Sequence, residues 1–139
     1  MALEKKLSNN PLALGEILVI DDDASSLFLI EDLLTSMGLG GKVTTSTNVP
    51  EAISLLRERS GTARFPDLVL LDIRMPDSDG FDFLEQLNTL PLASPAPKVV
   101  LLSYYGNRTY QSRAEALGVA AYLRKPLTRE KVLDIINLN

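Results

Sequence analysis

The apolar residues of this 139-residue chain are concentrated in five short runs, separated by longer segments of mixed polarity. Four runs are apolar throughout, which is typical of strands that are covered on both faces in a parallel sheet. The second run is rich in threonine and serine, which favours a position at the edge of the sheet. The predicted strands are residues 17–20, 43–47, 68–71, 99–102 and 120–123.

The segment after each run has apolar residues at helical spacing and therefore predicts a helix. Asp23, Asn48 and Thr128 are candidate N-caps, and Gly38 and Gly118 follow predicted helix ends. The fourth helix has the weakest apolar pattern, which suits an element that moves. The predicted helices cover residues 25–37, 80–90 and 107–117, with one more beginning after Asn48 and another after Thr128.

A strand followed by a helix, repeated five times, predicts an α/β fold with a doubly wound parallel sheet. Right-handed crossovers leave few topologies, and the polar second strand favours the flavodoxin-like (βα)5 fold with strand order 2-1-3-4-5. We assign residues 1–15 to a polar N-terminal leader and residues 16–139 to one domain. No output domain is expected after the last helix.

Cysteine and histidine are both absent from the sequence. Thiolate and imidazole chemistry within the chain is therefore excluded, and any metal must be held by oxygen, as Mg²⁺, Mn²⁺ and Ca²⁺ prefer. The net charge of −4 argues against direct nucleic-acid binding. No apolar stretch approaches the roughly 20 residues that span a membrane. Without a signal-peptide pattern, the chain is expected in the cytoplasm.

Polar groups follow four of the predicted strands at their carboxyl ends. Asp21 and Asp22 follow the first strand, Asp72 the third, Ser103 the fourth and Lys125 the fifth. The carboxyl ends of neighbouring parallel strands meet in one cleft. Crowded carboxylates favour a Mg²⁺ ion, a carboxylate can accept a phosphoryl group, and a lysine can hold a phosphoryl oxygen. Each residue alone also fits a turn, a cap or a solvated surface, but their joint occurrence favours an acyl-phosphate site.

These strand ends carry four motifs that resemble the receiver (CheY-like) domain of bacterial two-component response regulators. The resemblance covers essentially residues 16–137, and the second motif is the most specific. The motifs are ILVIDDD at 17–23, PDLVLLDIRMPDSDG at 66–80, VVLLS at 99–103 and AYLRKP at 121–126.

The resemblance implies a phosphorylation site built around Mg²⁺. Asp72 corresponds to the phosphoacceptor, and Asp22 corresponds to a direct ligand of the ion. Asp21 is expected to act on the ion partly through water, and the backbone carbonyl of Arg74 to complete the protein ligands.

The resemblance also implies a conformational switch. Lys125 is expected to pair with the phosphoryl group, and Ser103 is expected to hydrogen-bond to it. The inward movement of Ser103 leaves space for Tyr122, which corresponds to the aromatic residue whose rotamer reports activation. Pro126 corresponds to a proline that is often cis. The new charge thereby biases a two-state element after the fourth strand.

The function implied by the resemblance is that of a single-domain response regulator. Its phosphoryl group comes from a phosphohistidine of a sensor histidine kinase or histidine phosphotransfer protein, which suits a chain without histidine. It is expected to catalyse only its own phosphorylation and dephosphorylation and otherwise not to be an enzyme. A downstream protein is expected to contact the face formed by residues 104–137, and homodimerisation is a further option.

Four tyrosines lie between the fourth and fifth strands, on this expected signalling face. Exposed tyrosines are enriched at contact sites. The alternative is that Tyr122 and one other tyrosine pack in the core under the last helix. The four are Tyr104, Tyr105, Tyr110 and Tyr122.

The sequence departs from the family pattern after Ser103, where a small residue is usual and this chain has Tyr104. A bulky side chain beside the phosphoryl pocket either obstructs attacking water or a partner, or swings outward over the mouth of the pocket. Arg74 lies where the family varies its rate of dephosphorylation. We hypothesise that Tyr104 and Arg74 both slow the loss of the phosphoryl group.

Two other functions stay open at this point. A phosphatase of the haloacid-dehalogenase type also uses a nucleophilic aspartate and Mg²⁺, but it requires a second acid two residues later, where this chain has Arg74. A receiver fold that only scaffolds its partners is disfavoured by the intact set of Asp22, Asp72, Ser103 and Lys125.

Overall fold

The structure is a computed structural model that describes residues 15–72, 79–92, 96–104 and 108–137. Residues 1–14 of the predicted leader, Arg74 and Tyr105 lie outside the described residues. The strands are β1 (Glu16–Ile20), β2 (Val43–Ser46), β3 (Pro66–Asp72), β4 (Lys98–Ser103) and β5 (Ala121–Arg124). The helices are α1 (Ala24–Ser36), α2 (Val49–Arg59), α3 (Asp79–Thr89), α4 (Arg108–Ala116) and α5 (Arg129–Ile136), with a short 3₁₀ helix at Gly40–Lys42.

The five strands form one parallel sheet in the order β2-β1-β3-β4-β5, which confirms the predicted topology. The polar strand β2 lies at one edge, as its sequence indicated. The register places Asp72 opposite Leu102 and Ser103 opposite Arg124, so the carboxyl ends of β3, β4 and β5 lie side by side. The pairing with Ser103 also extends β5 to Arg124, one residue beyond the predicted end.

Strand side chains alternate between two cores, one on each face of the sheet. In β1, Ile17 and Val19 pack with α1 and α5, whereas Leu18 and Ile20 pack with α2, α3 and α4. The central strands are therefore covered on both faces, which explains why their sequences are apolar without alternation. Apolar burial of this kind contributes about 25 cal/mol per Å² to folding.

The same alternation in β5 determines where Tyr122 lies. Ala121 and Leu123 pack on the face covered by α1 and α5, and Tyr122 packs on the opposite face. The alternative that Tyr122 packs under the last helix is therefore wrong, because successive side chains of a strand point to opposite faces. Tyr110 of α4 packs on the same face as Tyr122.

Local hydrogen bonds fix the helix ends, and they confirm the predicted caps. The side chains of Asp23, Asn48 and Thr128 accept backbone N–H bonds of 2.9, 2.8 and 3.2 Å, respectively. Gly38 and Gly118 end α1 and α4 with φ angles of 83° and 88°, where a β-carbon is unfavourable. Among the described helices, none combines the length and the apolar character that crossing a membrane requires.

Candidate functional site

Three carboxylates meet where β1 and β3 end. Asp21 is buried and Asp22 is exposed directly after β1, and Asp72 is the last residue of β3. Oxygen atoms from all three lie within 4.8 Å of one another. They line a cavity of about 230 Å³ together with Thr47 and Asn48 from the loop after β2. The structure thus brings together the three acids that the sequence placed in one cleft.

Lys125 directly follows β5, the edge strand opposite β2, and its side chain reaches two of these carboxylates. Its ammonium lies 3.1 Å from Asp21 Oδ2 and 3.3 Å from Asp72 Oδ2. It also donates a hydrogen bond of 2.5 Å to Ser26 Oγ of α1. The side chain of Lys125 is 5% exposed, so these three acceptors replace the water that an ammonium group normally binds.

The backbone around Lys125 is held by hydrogen bonds from two directions. The Lys125 N–H donates to the carbonyl of Ser103 over 2.7 Å, which ties the end of β5 to that of β4. From α5, Lys131 Nζ donates to the carbonyls of Arg124 and Pro126. The Lys125–Pro126 peptide bond is cis, in agreement with the resemblance.

Asp21 is held by hydrogen bonds with the end of β2 and with the start of α1. Its N–H donates to the carbonyl of Ser46 at the end of β2, over 3.0 Å. Its Oδ1 accepts the N–H of Asp23 over 2.9 Å, and Asp23 in turn caps α1. One carboxylate oxygen thus faces the start of α1, and the other faces Lys125.

The two buried carboxylates titrate differently because their environments differ. Burial, together with the charge of Asp21, raises the pKa of Asp72 to about 7, against an opposing effect of Lys125. Burial acts on Asp21 in the same sense, but hydrogen bonds with Ser26, the Asp23 backbone, Asp72 and Lys125 outweigh it and lower the pKa of Asp21. Near neutral pH, a proton on Asp72 therefore relieves the repulsion between the two groups.

This acidic set fits a divalent cation. Three ionised carboxylate oxygens within 4.8 Å of one another repel. A cation between them would remove this repulsion, as a proton on Asp72 does when no cation is bound. All the donors are oxygen atoms, which is the ligand set that Mg²⁺ prefers. Asp21, Asp22 and Asp72 are the residues that would hold the ion. The predicted fourth ligand, the carbonyl of Arg74, lies outside the described residues.

The remaining predicted site residues lie around the Lys125 side of the cleft. Ser103 is 2% exposed at the end of β4. Tyr104 follows it and is 61% exposed, with its ring centre 5.0 Å from the Lys125 ammonium. Tyr122 is half-buried in the neighbouring strand β5, opposite Leu101.

Ser26 contacts Lys125 but was not predicted as a site residue. The apolar spacing of this segment predicts only the start of a helix. A signal was present, because Ser26 lies four residues before Ile30 and on the buried side of α1. A hydroxyl among apolar helix positions requires a polar partner inside the protein.

The chain matches the family of the response regulator receiver domain over residues 17–137. It belongs to this family. A probable chemotaxis protein CheY from Rhizobium etli is 31% identical over 117 residues, which cover 84% of this chain and 85% of that protein. A response regulator receiver domain protein from Clostridium thermocellum, of known crystal structure, is 31% identical with a TM-score of 0.73, covering 89% of this chain and 92% of the other.

The receiver domain also resembles part of longer proteins. The two-component response regulator ARR14 of Arabidopsis thaliana is 35% identical over 119 residues, or 86% of this chain. The chain spans only 29% of the length of that relative. What the short and the long relatives share is a receiver domain, which assigns this chain to two-component signalling.

Proposed function

We propose that this receiver domain accepts a phosphoryl group on Asp72 from a phosphohistidine of a sensor histidine kinase or histidine phosphotransfer protein, with Mg²⁺ in the acidic cavity. The observation that carries the proposal is the position of Asp72. Its carboxylate is 5% exposed, lies 3.3 Å from the Lys125 ammonium and shares a cluster with two other aspartates. Such a site combines an oxygen nucleophile with the charges that phosphoryl transfer requires.

In the proposed reaction, an ionised Asp72 oxygen attacks the phosphorus atom. The new O–P bond forms as the P–N bond breaks, and the electron pair of the broken bond returns to the donor's imidazole nitrogen. Lys125 already contacts Asp72 and stabilises the negative charge on the phosphoryl oxygens. Asp21 stays ionised throughout, because its hydrogen bonds lower its pKa.

Mg²⁺ supplies charge neutralisation at the phosphoryl oxygens when it is bound. Asp21, Asp22 and Asp72 would hold it. Asp72 would be held in its ionised form by the bound cation, since burial and the Asp21 charge otherwise raise the pKa of Asp72 to about 7. Mg²⁺ binding is therefore expected to release a proton near neutral pH.

The proposed output is a switch in the region after β4. Ser103 is buried beside the phosphoacceptor strand, and Tyr122 lies half-buried in β5 on the face that α4 covers. A phosphoryl group that engages Ser103 is proposed to shift Tyr122 and α4, and so to change the face formed by residues 104–137. A downstream protein, or a second copy of the chain, would bind that face.

The experiment that tests the proposal is incubation with acetyl phosphate and Mg²⁺, followed by mass spectrometry. We expect one phosphoryl adduct on the wild type and none on Asp72→Asn. Asp67→Asn is a matched control, because Asp67 is an exposed aspartate of the same strand and should leave the adduct unchanged.

Each alternative function has its own outcome in this experiment. An adduct that persists in Asp72→Asn would overturn the assignment of the phosphoacceptor. Hydrolysis of a generic phosphate ester would favour a phosphatase. A chain that neither forms the adduct nor responds to beryllofluoride with Mg²⁺ would be a scaffold.

Tyr104 and Arg74 are proposed to prolong the life of the phosphoryl group. The Tyr104 ring is 61% exposed and lies over the Lys125 ammonium, with the ring centre 5.0 Å from it. We expect Tyr104→Ala to lose the phosphoryl group severalfold faster, and Tyr104→Phe, which keeps the ring, to behave like the wild type. Loss is measured as decay of the adduct after removal of acetyl phosphate, and an unchanged rate in Tyr104→Ala would contradict this role. The proposed role of Arg74 is tested separately, by the same decay measurement on Arg74→Ala.

A further inference from the structure

Ser26 is a buried polar residue on the apolar side of α1. It is 9% exposed, and Ile30 and Leu34 on the same side of the helix belong to the core beneath the sheet. Burial of a hydroxyl in apolar surroundings is unfavourable unless it forms hydrogen bonds. Ser26 Oγ satisfies this requirement by accepting a hydrogen bond from the Lys125 ammonium over 2.5 Å.

The three acceptors around the Lys125 ammonium differ in charge. Asp21 and Asp72, at 3.1 and 3.3 Å, are carboxylates that also belong to the acidic cluster. Ser26 is neutral, and its hydroxyl also hydrogen-bonds with Asp21. When a cation or a phosphoryl group engages the two carboxylates, their attraction for Lys125 weakens, whereas the Ser26 oxygen remains available.

We propose that Ser26 is a positioning residue that keeps the Lys125 ammonium at the phosphoacceptor while Asp21 and Asp72 change partners. The inference rests on the proposed function, since Lys125 must stay in place to meet the incoming phosphoryl group. An ammonium has three N–H donors, so one bond to Ser26 leaves the others free to turn towards phosphoryl oxygens. Ser26 acts through Lys125 and takes no part in bond making.

The test compares Ser26→Val with Ser26→Thr, because these side chains have the same shape and only threonine has a hydroxyl. The rate of adduct formation is measured over a range of acetyl phosphate concentrations with Mg²⁺. We expect Ser26→Val to be about tenfold slower, the effect of losing one hydrogen bond to a charged group, and Ser26→Thr to be close to the wild type. Ser25→Val is the matched control, because Ser25 is the exposed neighbour in the same turn.

A second measurement, made without metal or phosphodonor, detects the ammonium directly. A buried, fully hydrogen-bonded ammonium exchanges its protons slowly with water, so Lys125 should give a ¹H–¹⁵N NMR signal that is absent in Lys125→Arg. We expect the signal in the wild type, Ser26→Thr and Ser25→Val, and its loss by fast exchange in Ser26→Val. Unfolding in urea shows whether each variant is folded.

The outcomes separate this inference from the proposed function. Equal rates of adduct formation in Ser26→Val and Ser26→Thr, or an unchanged Lys125 signal in Ser26→Val, would overturn the positioning role. A wild type that forms no adduct would overturn the proposed function, and the Lys125 signal would then still decide whether Ser26 holds the ammonium. If Ser26→Val does not fold, Ser26→Ala replaces it in both measurements.

Discussion

Helices α1 and α4 are attached to the sheet in different ways. In α1, Leu27, Ile30 and Leu34 are buried, and Ser26 adds a polar bond to the candidate site. Of the nine residues of α4, all of which the structure describes, only Ala114 is buried. Two other side chains of α4, those of Tyr110 and Arg113, contact the ring of Phe81 in α3.

The two contacts with the Phe81 ring differ in kind. Tyr110 stacks on its ring with the centroids 5.8 Å apart, and the Arg113 guanidinium lies 4.2 Å from the ring centre. Arg113 also lies 3.6 Å from Glu85, but both side chains are about half exposed, and such pairs contribute little to stability. Helix α4 therefore opens at a lower free-energy cost than α1, so it can respond to the site while the sheet stays folded.

The largest effect is expected from removing apolar contacts of α1. Leu34 is 1% exposed, so Leu34→Ala should lower the free energy of unfolding by about 2–5 kcal/mol through lost burial and the cavity that remains. Leu29→Ala is the same change in the same helix at a residue that is 65% exposed, and it should cost under about 0.5 kcal/mol. Urea unfolding of both variants measures these losses of unfolding free energy. Similar losses in the two variants would contradict the view that buried apolar contacts attach α1 to the sheet.

An intermediate effect is expected at the acidic end of the sheet. The pKa of Asp72 is raised from 3.8 to about 7, so between these pH values the folded chain binds more protons than the unfolded chain. Stability should therefore fall as the pH rises from about 4 to about 7, and this group should cause no further change above that range.

Asp72→Asn removes this titration and isolates its contribution. At about pH 8 without divalent cations, we expect the variant to be more stable than the wild type by about 1–4 kcal/mol, with the difference shrinking towards pH 4. Urea unfolding in the presence of a chelator at several pH values measures it. Parallel stability curves for the two proteins would show that Asp72 does not titrate in this window.

The smallest effect is expected in α4. Arg113→Ala removes the cation over the Phe81 ring and should lower the free energy of local opening by about 0.5–1 kcal/mol. Hydrogen exchange of the α4 amides measures this opening. Arg108→Ala removes the same charge from an exposed position in the same helix and serves as control. Equal exchange in the two variants would show that the ring contact does not hold α4.

Much of the fold was predictable because its determinants are local. The apolar runs predicted the strands, and the caps Asp23, Asn48 and Thr128 act within three residues of their own positions. The candidate acids were predictable for a related reason. Parallel strands end at a common edge, so residues directly after the strands must lie near one another.

Contacts between distant segments were not predictable in the same way. The bond between Ser26 and Lys125 joins residues 99 positions apart, and the stack of Tyr110 on Phe81 joins two different helices. The face of the sheet on which Tyr122 lies depends on the register and direction of β5. A shift of one residue in that register would place it under α5 instead.

The sequence by itself determined the order of elements, the helix ends and which oxygen and nitrogen groups stand at the strand ends, because each depends on spacing along a few residues. Only the tertiary structure decided which acceptors surround Lys125 and how burial and the neighbouring charge separate the pKa values of Asp21 and Asp72. It also decided how little of α4 is buried. These properties depend on distance and on exclusion of water, which exist only once the chain has packed.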